Sequence, residues 1–290
     1  MDIKSFAKIN VSLQVKGRRE DGYHELDMVN LPLELHDVIS IDKLSGGDTY
    51  IICDDLRLMG LRTNLCQKAV EAMRNRFGFK ENFMIHIHKE IPFAAGLGGG
   101  SSNAATVMLA INKMLKLQAS ADDLKEVAGK IGSDIPYFLR LTPARVGGIG
   151  EIVNPIEVRK NYFCLLIKPS KGLSTKDVYA VCDNFPKKDI NTDLVVKALQ
   201  EGDDEALANC IGNDLQPASA SLLPEIESLI AMMKGDGFKI CQMTGSGSTV
   251  FALSSELKKC KEAHKKYLKL GYNAILTKTL SGIDCQRRKI

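Results

Sequence analysis

Lys8 and Asn10 stand two residues apart, a glycine-rich run at 96–100 ends in Ser101 and Ser102, and Asp134 precedes Ile135-Pro136. These are the groups in this 290-residue sequence whose types and spacing suit phosphate chemistry. The run is the strongest signal. Four glycines (Gly96, Gly98, Gly99 and Gly100) fall inside five positions, within the string Pro92, Phe93, Ala94, Ala95, Gly96, Leu97 and onward. Without side chains, consecutive N–H groups can turn into one concavity and approach a ligand closely. Beyond the serines, Ala104, Val107, Met108, Ile111 and Leu115 recur at helical spacing. A glycine loop feeding a helix start favours an anion, because orphan N–H groups and the helix dipole both attract negative charge. Phosphate is the expected guest, and a ligand-free hairpin would not need so many glycines. No lysine follows the last glycine, so the loop is not a Walker A sequence, and its glycine spacing is not that of a dinucleotide fingerprint.

Other groups carry weaker signals. A second glycine turn, Thr244-Gly245-Ser246-Gly247-Ser248, sits between two expected strands, where it is either a plain hairpin or a partner of the first loop. Asp134 can cap the helix begun by Pro136 or act on a substrate. Lys8 can be a solvated strand lysine or, beside Asn10 on one face, a ligand group. His86 and His88 share a strand face and have metal-binding character, but the sequence offers no third ligand, so a solvated polar face is the favoured reading. Eight cysteines never come closer than thirteen residues apart, which removes C-x-x-C zinc and redox patterns and leaves them as small, reduced, buried side chains.

Elements must position these groups. Alternation over 3–15 predicts a half-buried strand with Lys8 and Asn10 on its polar face. A turn at 17–22 leads to Tyr23-His24 and an extended run to Leu35. Further strands are expected at 38–44 and 83–88, with a helix at 64–77. A helix at 122–131 is expected to stop at Gly132 in the left-handed conformation. The glycines of 142–150 suggest a turn. The pattern resets near residue 157. Past that point come a strand at 162–167, helices at 192–199, 205–210 and 224–233, a strand–turn–strand unit at 238–253, a helix at 256–270 and a strand at 273–277. This is an α+β chain with two domains, 1–156 and 157–290, and a shared cleft.

The set Ala7-Lys8-Ile9-Asn10, Asp21-Gly22-Tyr23-His24, Gly-Leu-Gly-Gly-Gly-Ser-Ser-Asn-Ala-Ala at 96–105, Gly132-Ser133-Asp134-Ile135-Pro136, Gly150-Glu151 and the late glycine turn resembles the GHMP small-molecule kinases nearly end to end. It departs from them at Ser5-Phe6, where a proline is commoner, and at Val146-Gly147-Gly148. The resemblance implies a ribosomal-protein-like N-terminal domain, a ferredoxin-like α/β C-terminal domain, and an active site between them. It also implies ATP-dependent transfer to an alcohol, with Lys8 and Asp134 as the catalytic pair and residues 92–102 on ATP. Within that family, the resemblance at 7–10, 21–24, 96–105, 134 and 150–151 implies an acceptor built from cytidine diphosphate linked to methylerythritol. Tyr23 and His24 would then meet the base, Asn10 and Thr175 would line the acceptor site, and Tyr179 would be a second aromatic against the base or an ordinary helix-face residue. Gly245, Ser246 and Gly247 would approach the phosphate loop. Phosphoryl transfer needs mainly alignment and charge stabilisation. Asp134 can orient the hydroxyl and take its proton, while Lys8 offsets charge on the moving group. Mg²⁺ comes with ATP, and Ser101 or Ser102 can offer it a hydroxyl.

Composition sets the remaining bounds. With 44% hydrophobic and 26% charged residues, the chain is that of an ordinary globular protein. A net charge of +4 is too small to argue for nucleic acid, and Arg287-Arg288-Lys289 reads as a solvated end. No apolar run suits a signal peptide or a membrane span, so the expectation is a cytoplasmic monomer or weak homodimer. The rivals are a homoserine-, mevalonate- or galactose-type kinase, a non-catalytic ATP and sugar sensor of the same fold, and an RNA-binding protein.

Overall fold

The computed structural model describes residues 1–55 and 64–282. Cys285 and the basic tail lie outside the described residues. The first half forms a six-stranded sheet from β1 (Asp2–Arg18), β2 (His24–Leu44), β3 (Tyr50–Cys53), β4 (Asn82–His88), β5 (Ala144–Gly148) and β6 (Ile152–Pro155). Its order is β3-β4-β2-β5-β6, with β1 paired antiparallel to β2. Packed on it are α1 (Leu65–Phe77), α2 (Gly99–Leu115), α3 (Ala121–Ile131) and α4 (Ile135–Arg140). The second half places β7 (Phe163–Lys168), β8 (Ile240–Met243), β9 (Val250–Ser254) and β10 (Asn273–Lys278) in a sheet of order β10-β7-β9-β8. Its helices are α5 (Thr175–Cys182), α6 (Thr192–Glu201), α7 (Asp204–Cys210), α8 (Gln216–Leu222), α9 (Glu225–Gly235) and α10 (Leu257–Lys269). This is the expected two-domain α+β arrangement. Among the described residues, no helix is long and apolar enough to cross a membrane.

Local chemistry sets most element ends. Asn64 caps α1 by accepting from the Cys66 N–H at 2.9 Å, and Gly78 closes the helix at φ 73°. Ser120 and Asp123 form a reciprocal capping box on α3. The strand β4 alternates as its sequence requires, with Phe83, Ile85 and Ile87 buried.

Several expectations are corrected. The first strand is not half-buried: Lys8 is 4% exposed, and Asn10 and Ser12 are fully covered. Its second face is roofed by the glycine loop and the C-terminal half. The runs expected at 23–35 and 38–44 are one 21-residue strand. Asp37 bridges them because its buried carboxylate accepts the N–H groups of Glu90 and Ile91, both at 2.8 Å. Gly132 stops α3 with φ −176°, in extended rather than left-handed backbone. Gly147 and Gly148 lie in β5, and the turn expected within 142–150 follows at 149–150, where the Gly150 N–H donates to the Gly147 carbonyl at 3.1 Å.

Candidate active site

β1 carries the centre of the site. Its pairing with β2 shifts register between Phe6 and Lys8 and again between Asn10 and Ser12. The freed backbone groups hold two loops. The Lys8 N–H donates to the Leu97 carbonyl at 3.0 Å, and the Asn10 N–H donates to Thr244 Oγ1 at 2.9 Å. Both glycine segments are thus tied to the strand that bears Lys8.

The loop itself is shaped by positive φ at Gly96 (72°) and Gly98 (71°). A Cβ on Gly96 would overlap the Thr244 carbonyl oxygen, so the close approach of the two turns requires glycine there. Gly98 is the N-cap of α2, without a side-chain cap bond. The helix therefore begins inside the glycine run and presents its first N–H groups to the adjoining cavity. That cavity, about 450 Å³, is lined by residues 92–101, Lys8, Asn10, Asp134, Thr175, Tyr179, Gly245 and Ser246.

The two serines part company. Ser101 lines the cavity, whereas Ser102 is fully buried and accepts a 2.8 Å bond from the Ser5 hydroxyl. The structure thus turns Ser101, not Ser102, to the cavity.

Lys8 donates from Nζ to Asn10 Oδ1 at 2.6 Å, and Asn10 Nδ2 donates to Asn30 Oδ1 at 2.7 Å. Burial lowers the Lys8 pKa, against the opposing pull of the Asp134 carboxylate. Asp134 occupies the N-cap position of α4, yet its side chain makes no capping bond. The capping role is unfilled, and the carboxylate lines the cavity instead. Burial also raises the Tyr179 phenol, and Asp134 adds to the shift. Asp134's charge is therefore felt by both Lys8 and Tyr179.

His24 lies on the strand face of Leu26 and Met28, which line the cavity, but is not itself among the lining residues. Its Nε2 lies 3.1 Å from both carboxylate oxygens of Asp183, and its ring sits 5.1 Å from that of Tyr179. Tyr23 is 59% exposed at the tip of the β1–β2 turn and is not brought to the cavity wall. The Thr175 hydroxyl bonds Ser246 at 2.8 Å. Gly247 does not line the cavity, but its carbonyl oxygen stands 3.1 Å from where a Gly96 Cβ would lie, so it does approach the loop.

The sequence reading missed two supports. Lys89 lines the cavity, and its Nζ lies 3.3 Å from where a Gly99 Cβ would stand. Asp37 holds that ammonium at 2.6 Å. The available signal was a second lysine just ahead of Ile91-Pro92. Asn213 donates to the carbonyls of Met243 and Gly245, both at 2.9 Å, and so fixes the late turn. Nothing local to Asn213 announces that role.

Residues 64–140 match the family model for the GHMP kinases N-terminal domain, and 195–270 match that for the GHMP kinases C-terminal domain. A 4-diphosphocytidyl-2-C-methyl-D-erythritol kinase of Clostridium perfringens is 34% identical over 285 residues, covering 97% of this chain and 99% of that protein. The chain belongs to the GHMP kinase family. A second relative of the same name, from Thermoanaerobacter pseudethanolicus, is 32% identical with 96% of each chain covered. Among solved structures, a 4-(cytidine 5'-diphospho)-2C-methyl-D-erythritol kinase superposes with a TM-score of 0.80 at 28% identity, covering 96% of this GHMP kinase and 99% of that chain. A homoserine kinase from Cytophaga hutchinsonii shares the fold, with a TM-score of 0.75 at 18% identity over 97% of this chain and 95% of its own.

Proposed function

We infer that this GHMP kinase transfers the γ-phosphoryl group of ATP to the C2 hydroxyl of 4-diphosphocytidyl-2-C-methyl-D-erythritol, giving the 2-phosphate and ADP. This is a step of the non-mevalonate route to isoprenoid precursors. The observation that carries the reading is one cavity holding an uncapped Asp134, a buried Lys8 and the N–H groups of a glycine-led helix. The relatives' shared name supports the choice of acceptor.

MgATP enters as the co-substrate. The loop amides would hold its phosphates, and Ser101, which lines the cavity, would offer the ion a hydroxyl. Asp134 orients the acceptor hydroxyl and receives its proton. Lys8, steered by Asn10, neutralises charge that develops on the transferred group. The base end falls to His24 and Tyr179. In the neutral ring, a carboxylate at Nε2 requires the proton there, which leaves Nδ1 as an acceptor. An acceptor suits the exocyclic amino group of cytosine and opposes the carbonyl of uracil.

Activity is tested with MgATP and a panel of acceptors: the cytidine-linked methylerythritol, its uridine analogue, homoserine, mevalonate and galactose. The cytidine compound should be phosphorylated, and the uridine analogue should lose about tenfold or more in kcat/KM. Asp183→Asn should narrow that gap without changing the KM for ATP. Faster turnover of homoserine or mevalonate would sink the reading.

The loop needs a probe that spares the core. Gly98 and Gly99 suit the sequence argument, but a Cβ on Gly98 would lie 2.5 Å from Phe138, and one on Gly99 would lie 3.1 Å from Ile91. A Cβ on Gly100 meets only Leu65, at 3.6 Å. Gly100→Val should raise the Kd for ATP by roughly tenfold or more, with the melting temperature nearly unchanged. Calorimetry and a thermal melt check both halves of that statement.

A further inference from the structure

The outer face of the N-terminal sheet holds a cluster that the kinase reaction does not use. β3 runs parallel to β4, with Ile52 opposite His86 and Cys53 opposite Ile87. The next residue, Asp54, donates its N–H to the Ile87 carbonyl at 3.2 Å and is thereby delivered beside the two histidines. Asp54 Oδ1 lies 2.7 Å from His86 Nε2, and Oδ2 lies 3.3 Å from His88 Nδ1. One donor atom from each of the three residues falls within 4.8 Å of the others. The third ligand that the sequence did not bring into view therefore comes from the residue just past the end of the neighbouring strand.

Three further features suit a cation. Both imidazoles stand on adjacent same-face positions of an inner strand, so a rigid backbone sets their spacing. Their ring centroids are 3.9 Å apart, a separation that two protonated rings would resist and a shared cation would exploit. His88 Nε2 lies 3.4 Å from the Ser40 hydroxyl, so the nitrogen facing away from Asp54 has an outer partner that orients the ring. The neighbouring ammonium of Lys89 is taken up by Asp37 at 2.6 Å, and Ile52 and Met84 beside the cluster bring no charge.

We propose that Asp54, His86 and His88 form a binding site for a divalent transition-metal ion of the zinc or cobalt class, separate from the magnesium that accompanies ATP. Two imidazole nitrogens and one carboxylate oxygen are the donors such ions take, while magnesium and calcium prefer all-oxygen sets. Side-chain exposures of 34–49% leave the remaining coordination positions to water. The alternative is an ion pair that only fastens β3 to β4.

The test uses the full chain, stripped with chelator and free of nucleotide, titrated with zinc chloride by calorimetry and with cobalt chloride by visible absorption. The parent should bind one equivalent at this site, and zinc should raise its melting temperature, because a ligand held by the native state stabilises it. The His86→Ala/His88→Ala variant should lose that equivalent, and Asp54→Asn should weaken it about tenfold or more. Cobalt held by nitrogen and oxygen should show no intense thiolate charge-transfer band, which separates this site from the cysteines. An equivalent retained by the double variant, or a thiolate-type cobalt spectrum, overturns the proposal. If the double variant melts early without metal, Asp54→Asn decides alone, and undiminished zinc affinity in it is fatal. None of these readouts depends on the kinase reading.

Discussion

Asp134→Asn should lower turnover by about 10²–10⁴ while ATP still binds, the usual scale for losing a general base. The substitution keeps the shape and removes the proton acceptor. Thermal stability should hardly change, because the Asp134 side chain caps nothing in α4. Lys8→Met should lower kcat more than it raises the KM for ATP, since its charge acts mainly as the phosphoryl group moves. The double variant should cost little more than the worse single one, because the two groups serve one event. Burial also lowers the Lys8 pKa, so its charge is lost at a lower pH than that of a surface lysine. The alkaline limb of kcat/KM, which reports the free enzyme, should accordingly fall below the ordinary lysine range. Near-normal turnover in Asp134→Asn, or an alkaline limb unaltered by Lys8→Arg, would defeat the assignment.

The second large effect is expected at Gly96. Gly96→Ala forces a methyl group into the Thr244 carbonyl oxygen from a backbone at φ 72°. Left-handed strain costs about 1–2 kcal/mol, and the overlap adds about as much again. The melting temperature should drop by roughly 5–10 °C, and ATP affinity should fall with it. Gly100→Val, four residues on, should lose affinity without the thermal penalty. The pair separates damage to the seating of the loop from damage to its anion site. If Gly96→Ala melts with the parent, the late turn does not hold the loop.

How much of this was legible depends on whether the signal was local. The glycine loop, the helices α1 and α3 and the alternation of β4 depend on neighbours in sequence, and they could be read directly. β2 was split between the run ending at Leu35 and the run beginning at residue 38, across the polar pair His36-Asp37. The distant amides of Glu90 and Ile91, with the Lys89 ammonium, make a buried Asp37 tolerable inside a strand. β3 is four residues long with a weak pattern, and β5 hides behind two glycines. α5 and α8 are short helices of eight and seven residues, with too few turns to show a period. At the site, Lys8 and Asp134 could be paired only through the family resemblance. The buried polar face of β1 was invisible because what covers it begins some ninety residues later. Tyr23 stood next to His24 in sequence, but the turn turns its ring to solvent.

The cavity draws on residues 8, 10, 89, 92–101, 134, 175, 179, 245 and 246 among others, and β10 completes its sheet by pairing with β7, the first strand of that sheet. Such long-range closure is slow and comes late. As the chain leaves the ribosome, the six-stranded sheet is in hand by residue 155, already bearing the lysine, the loop and the aspartate. The turn that seats the loop is still unmade, about ninety residues away. Domains fold as units in the order of their synthesis. A chain made only as far as residue 155 therefore carries the glycine loop, the lysine and the aspartate without the turn that seats the loop, and competence waits for the second sheet to close.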